Sequence, residues 1–368
     1  MNKLKKIYTL LALMVLLFPQ LSKAQEVKED VANFKAKVVD ILQVEEKTRE
    51  DGTKFKQQNL KLLGLAGAWK DKEIIYNGIS DIEVANANFY KVGDNVYVDG
   101  HTDEFGQDIF YVTDFVRSGY LYILFIIFVF AVLLVGGTKG FKALLGLFLS
   151  FAVIIKFILP QILNGRDPFL ISLLGGLVIL GIIIYLTEGF KRKSHIAVLS
   201  VLISLSATLM LSIIFTKLSK LSGLAQEEAA FLIGAGNIEI NFQGLLLAGF
   251  IIGAIGVLDD IIVGQIEAVE QIKEANPNLP TKKVFSLAYK VGNTHLGAIV
   301  NTLFLTYAGA ALPLLLLFIL NQDSGITFNR LINTEIVSTE IVRTLVGSIG
   351  VMLSMPIATF LAAIKLKK

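Results

Sequence analysis

The chain has 368 residues, 54% hydrophobic and 18% charged, with a mean hydropathy of +0.65, so its apolar surplus needs a bilayer rather than an ordinary soluble core to hide it. A formal net charge of +3 gives no electrostatic case for nucleic acid. Cysteine is absent, which excludes disulfides, thiolate metal sites, a cysteine nucleophile and an acyl-cysteine anchor.

Lys3, Lys5 and Lys6, the apolar run from Tyr8 to Phe18, and Ser22-Lys23-Ala24 have the three-part form of a signal peptide over residues 1–24, cut after Ala24. An uncleaved first helix is the alternative, and either version exports the segment from residue 25 onward. Residues 25–118 hold no run long enough to span a membrane and carry strand and turn signals. Phe34, Ala36, Val38, Leu42 and Val44 share one parity, broken by Asp40, as on a half-buried strand. Asp51-Gly52 and Asn77-Gly78 are hairpin-type dipeptides, and Val92-Gly93-Asp94 leads into the alternating Asn95-Val96-Tyr97-Val98. With a last strand at 108–115, the region is expected to be an exported all-β domain, OB-like in type.

Residues 119–368 are expected to form an α-helical polytopic membrane domain. Runs near 120–137, 142–163, 169–187, 196–216, 243–264, 294–320 and 341–362 approach or exceed the ~20 apolar residues of a spanning helix, a count of seven. If the β-domain is outside, the inner loops hold Lys139 and Lys142, then Lys191, Arg192 and Lys193, then Lys273, Lys282, Lys283 and Lys290, and finally Lys365, Lys367 and Lys368. The outer loops hold mainly Arg166, Lys217, Lys220 and Arg330. This asymmetry agrees with the signal peptide and puts the C-terminus inside the cell membrane. Residues 219–241, with Phe231-Leu232-Ile233, are expected to be interfacial or re-entrant.

The fifth run carries the candidate chemistry. Gly249, Gly253 and Gly256 lead into Asp259 and Asp260, with Glu267, Glu270 and Glu274 beyond. Glycines at that spacing let helices approach closely. Carboxylates at membrane depth read as part of an ion or substrate path, Asp260 foremost; headgroup solvation of a helix end is the bland alternative. On the next run, His295, Asn301, Thr302 and Thr306 offer partners, although Asn301 and Thr302 serve equally as hydrogen-bond glue between helices. Between the two runs, over about 265–292, Ile262, Ile266, Val269 and Ile272, then Val284, Leu287, Ala288 and Val291, form apolar stripes expected to lie on the inner membrane surface.

An enzyme is not expected. Adjacent Asp259 and Asp260 point about 100° apart on one helix and cannot share a proton as a protease dyad does. There is no GxSxG, HExxH or GxxxxGK[ST] motif. His101, Asp103, Glu104 and Asp108 match a hard-ion loop in composition but not in spacing, so no metal or cofactor is expected.

Gly256-Val257-Leu258-Asp259-Asp260, Glu267, Asn276-Pro277, Asn293-Thr294-His295, Asn301-Thr302-Leu303 and Tyr307-Ala308-Gly309-Ala310 resemble the YibE/F family of bacterial membrane proteins, and the likeness extends over the exported domain and all seven runs. The resemblance implies a cytoplasmic-membrane protein with a transport role. More distantly, Gly256, Asp260 four residues on, and Glu267 are similar to a pattern of SecD/SecF and other RND-type permeases, in which the aspartate carries coupling protons. This chain departs from that pattern in its additional spans, its much smaller exported domain and Ile261-Ile262.

The resulting expectation is an ion-coupled transporter or export-assisting permease with membrane lipid around it. Asp259, Asp260, Asn301, Thr302, His295 and Glu267 would lie along its path, and the β-domain would meet a small substrate or an envelope protein. The alternative is a non-transporting scaffold whose β-domain binds an envelope partner, and a homo-oligomer stays open.

Overall fold

The computed structural model describes residues 32–48, 52, 54–80, 88–102, 106, 108–234, 239–320 and 327–366. The signal peptide, Asp103 and Glu104 lie outside them. The chain divides into two units, Met1–Leu134 and Val135–Lys368.

The first unit holds a five-stranded antiparallel sheet of β1 (Ala32–Thr48), β2 (Lys54–Gly64), β3 (Glu73–Asn77), β4 (Asn95–Thr102) and β5 (Asp108–Phe115), in the order β3-β2-β1-β4-β5. The edge strands β3 and β5 approach each other, so the sheet curls toward the partly open five-stranded barrel that the turn signals suggest. Its core is Phe34, Ala36, Val38, Leu60, Leu62, Val96 and Val98, with Trp69 stacked on Phe34 at 6.0 Å and edge-on to Phe110 at 4.8 Å.

The single parity read along β1 holds only as far as Val38. Val39 and Leu42 are extra residues in the pairing with β2, and each such bulge reverses which face the following residues meet. After the first bulge Ile41 packs on the core; the second returns Val44 to the original face opposite Gln58, where, like Leu42 in the bulge, it is exposed. Gly52 lies between β1 and β2 with φ of 82°, and Gly93, before β4, has φ of 99°, backbone that glycine adopts without strain. Gly78 does not turn a hairpin; a side chain there would strike the Gln58 carbonyl and the Tyr76 ring.

The rest of the described chain is helical: α1 (Ser118–Val153), a π-helical turn at Ile154–Ile158, α2 (Leu159–Leu163), α3 (Pro168–Glu188), α4 (Arg192–Leu218), α5 (Glu227–Gly234), α6 (Phe242–Ala275), α7 (Thr281–Ala310), α8 (Leu312–Leu320), α9 (Phe328–Ile332) and α10 (Glu335–Lys365). Among the described residues, five helical stretches are long and apolar enough to cross a membrane: Ser118–Leu163, α3, α4, α6 and α10. The difference from seven runs has two origins. The first two runs form one 46-residue stretch, kinked at Gly137 with φ of 54°. The run over 294–320 is divided between the end of α7 and the short α8. Leu121, Ile123, Leu124, Ile126 and Ile127 are exposed, a density of apolar surface that a lipid environment would satisfy.

In the second unit, α3, α4, α6, α7 and α10 share the core. Ile251, Ile255, Leu258, Ile262, Ile266 and Val269 make one buried stripe along α6, and Val284 and Ala288 of α7 join it. The stripes expected to lie on the membrane surface are therefore largely interior: α6 runs unbroken through residue 275 and spends its apolar face on its neighbours. Asn241 caps α6 by accepting from Gly244 N at 2.9 Å, and Asp167 caps α3 by accepting from Leu170 N at 2.9 Å. Within residues 219–241, Leu221 is buried, whereas Phe231 and Ile233 of α5 are exposed.

Candidate functional site

Asp260 leaves α6 toward α7 and α10. It borders a cavity of about 240 Å³ whose wall also includes Gln265 of α6, Gly292 and His295 of α7, and Met355 of α10. Two residues expected on one path, Asp260 and His295, thus meet one space from different helices. Gln265 is fixed there: it is buried, its Oε1 accepts from the Thr359 hydroxyl at 2.9 Å, and its amide fills the place of a Gly292 side chain. Gly292 is what allows α7 to lie against that amide.

The adjacent aspartate has other surroundings. Asp259 is half-buried, and its Oδ1 is buried without a hydrogen-bond partner among the described residues. Such an atom is costly to leave unpaired at membrane depth. Asn301 and Thr302 are on α7 but do not line the cavity; the Thr302 hydroxyl donates to the Ala298 carbonyl at 2.9 Å, the local helical bond usual for such a residue.

Glu267 belongs to a second cluster. The Lys193 ammonium on α4 lies 2.8 Å from Glu267, 2.8 Å from Glu270 and 3.3 Å from Glu188, with only 13% of its side chain exposed. One cation against three carboxylates ties the ends of α3 and α4 to α6. In the sequence Lys193 reads only as a loop charge, because the cluster assembles from three helices: Glu188 of α3, Lys193 of α4, and Glu267 and Glu270 of α6. Nearby, Lys273 donates to the carbonyls of Ala363 and Leu366 at 2.6 Å each, closing the end of α10.

Toward the other end of α6, Arg343 of α10 pairs with Glu340 at 2.7 Å and lies 5.3 Å from the Phe250 ring centroid. It borders a cavity of about 20 Å³ together with Thr208, Ser212, Gly253 and Tyr307. No motif in the sequence singles out this polar group. A signal is nevertheless present in α4, where Ser200, Ser204, Thr208, Ser212 and Thr216 recur at every fourth position, all buried. Their small side chains let α4 lie close to α10, where a side chain at Gly350 would strike Thr208.

The close approach expected at Gly249, Gly253 and Gly256 is made at only one of them, and loosely. A Cβ at Gly249 or Gly256 would meet nothing within 4 Å among the described residues, and at Gly253 it would meet the Tyr307 hydroxyl at 3.7 Å. Tight glycine contacts occur instead at Gly175, Gly176, Gly292 and Gly350, facing Ile158, Ile255, Gln265 and Thr208.

The description YibE/F-like protein belongs to the family model that matches residues 124–368. No curated protein and no solved structure matches the chain. The match takes in α3, α4, α6, α7 and α10, with both cavities and the Lys193 cluster, and the chain belongs to the YibE/F-like family.

Proposed function

We propose that this protein is an ion-coupled transporter, or export-assisting permease, of the bacterial cell membrane, with Asp260 as its ion-carrying group. The observation that carries the reading is the convergence of Asp260 and His295, from α6 and α7, on one cavity of about 240 Å³ among apolar helices. An ionisable group at that depth costs several kcal/mol unless water, a partner or a transported ion meets it. His295 brings to the same space an imidazole, a ring able to accept and donate a hydrogen bond.

The proposed topology is seven spans, with the β-domain outside and the C-terminus inside. The kink at Gly137 divides the 46-residue stretch into two spans, and the end of α7 with α8 supplies another. Lys139, Lys142, Lys282, Lys283 and Lys290 then face the cytoplasm. The β-domain would meet a substrate or envelope partner, for which Val39, Leu42 and Val44 of β1 offer exposed apolar surface.

The test is ion-gradient-driven uptake in proteoliposomes, read with an internal pH dye and with a sodium dye. Asp260→Asn is expected to lower flux at least tenfold while keeping the melting temperature, and Asp260→Glu to retain part of it. Equal flux in wild type and Asp260→Asn would sink the reading. Because the chain has no cysteine, Asp260→Cys provides a second check: a membrane-impermeant thiol reagent should reach it from one side of sealed vesicles, and protection from both sides would favour a scaffold.

A further inference from the structure

The two cavities lie along one seam. Gly253 of α6, Tyr307 of α7 and Arg343 of α10 border the smaller one, and Asp260, His295 and Met355 of the same three helices border the larger. Asp260 follows Gly253 by two helical turns, a rise of roughly 10 Å. The intervening stretch is apolar: Ile261, Val351 and Met355 are buried together, with Val257, Leu296 and Ile299 packed on them. Several of these side chains also form cavity walls, Val257 at the Arg343 end and Ile261, Leu296, Ile299 and Met355 at the Asp260 end. The separating layer is therefore thin, and Val351 at 1% exposure lies inside it.

Resting on the transport reading above, we propose that the α6–α7–α10 seam is the ion path, that the layer centred on Val351, Ile261 and Met355 is its apolar gate, and that the ion is the proton carried on water. A dry apolar layer stops conduction because no polar group replaces the hydration an ion must shed, and it conducts once wetted. The cavity at the Arg343 end has room for about one water, since an internal water occupies at least roughly 10–15 Å³ by the same measure. Thr208, Ser212 and Tyr307 line that space, and the Thr208 and Ser212 hydroxyls donate to the Ser204 and Thr208 carbonyls at 2.8 and 2.9 Å. A hydrated metal cation does not fit it, whereas a proton needs only the water. Arg343, paired with Glu340, leaves that end close to neutral and therefore passable to a positive charge.

The experiment is passive proton and sodium conductance of reconstituted full-length protein under a potassium-diffusion potential. The variants are Val351→Thr, which keeps the volume and adds a hydroxyl, Val351→Asn, Ile261→Asn, and Leu345→Asn on the exposed face of α10 as control. Val351→Asn and Ile261→Asn are expected to raise proton conductance at least tenfold, with Val351→Thr between them and wild type, and with Leu345→Asn and all sodium fluxes unchanged. Unaltered proton conductance in Val351→Thr, with wild-type elution and melting, would overturn the gate; Asp260-dependent uptake by the wild type would then leave the transport reading standing. Sodium passing as readily as protons would overturn the assignment of the ion, and an equal leak through Leu345→Asn would overturn the seam.

Discussion

The Lys193 ammonium meets the Glu267 carboxylate at 2.8 Å across the contact between α4 and α6, and the same nitrogen also holds Glu270 and Glu188. Lys193→Met would leave three carboxylates facing one another. Glu267 and Glu270 are 42% and 30% exposed, so water softens the loss to about 1–2 kcal/mol, between surface and buried pairs. Thermal melting in detergent should show the loss, Lys193→Arg should recover part of it, and Glu267→Gln alone should cost less. An unchanged melting temperature in Lys193→Met would mean that the cluster is not a structural tie.

Two glycines separate close approach from mere spacing. Gly292→Ala forces a methyl into the Gln265 amide and should cost about 1–3 kcal/mol through overpacking. Gly249→Ala meets open space in the helix interior and should be neutral or gain up to about 1 kcal/mol. Melting temperatures of the two purified variants should therefore move in opposite directions or differ clearly.

Gln58 is the polar centre of the β-domain: its Oε1 accepts from Tyr90 N at 2.7 Å, and its Nε2 donates to the Tyr90 carbonyl at 3.0 Å. Gln58→Leu fills the volume but strands both backbone groups, each at about 1–3 kcal/mol. Amide hydrogen exchange should accelerate at Tyr90 and along β2, with the helices unaffected.

Burial raises the phenol pKa of Tyr76 and of Tyr90 above the ordinary value of 10.0. The folded state therefore favours their neutral forms. Their contribution to stability is fully present below the unfolded pKa of about 10 and is lost as pH rises through the higher folded values. Tyrosinate absorbance of the full chain should include a late component above 10.0 that Tyr90→Phe diminishes. Absence of any change in that component in Tyr90→Phe would contradict the burial.

The strands at 95–98 and 108–115, the turn at Gly93 and the apolar helices were legible because periodicity and turn chemistry act over a few residues. The same locality explains the errors. The bulges at Val39 and Leu42 depend on how β2 pairs, so strict alternation does not reveal that Ile41 meets the core and Leu42 does not. The Gly249–Gly256 spacing permits close approach but does not say whether another helix takes it up.

For the candidate site, the sequence by itself determined that carboxylates stand within an apolar run at Asp259 and Asp260, and helical geometry already required the two to face different ways. Only the tertiary structure decided that His295 shares a cavity with Asp260 while Asn301 and Thr302 do not line it, that Glu267 is bound to Lys193, and that Arg343 borders a second cavity on the same seam. Composition fixes the solvent a segment needs. Which polar groups meet depends on the register and rotation of helices far apart in the chain, and those are set by the packing of Gln265 against Gly292 and Thr208 against Gly350.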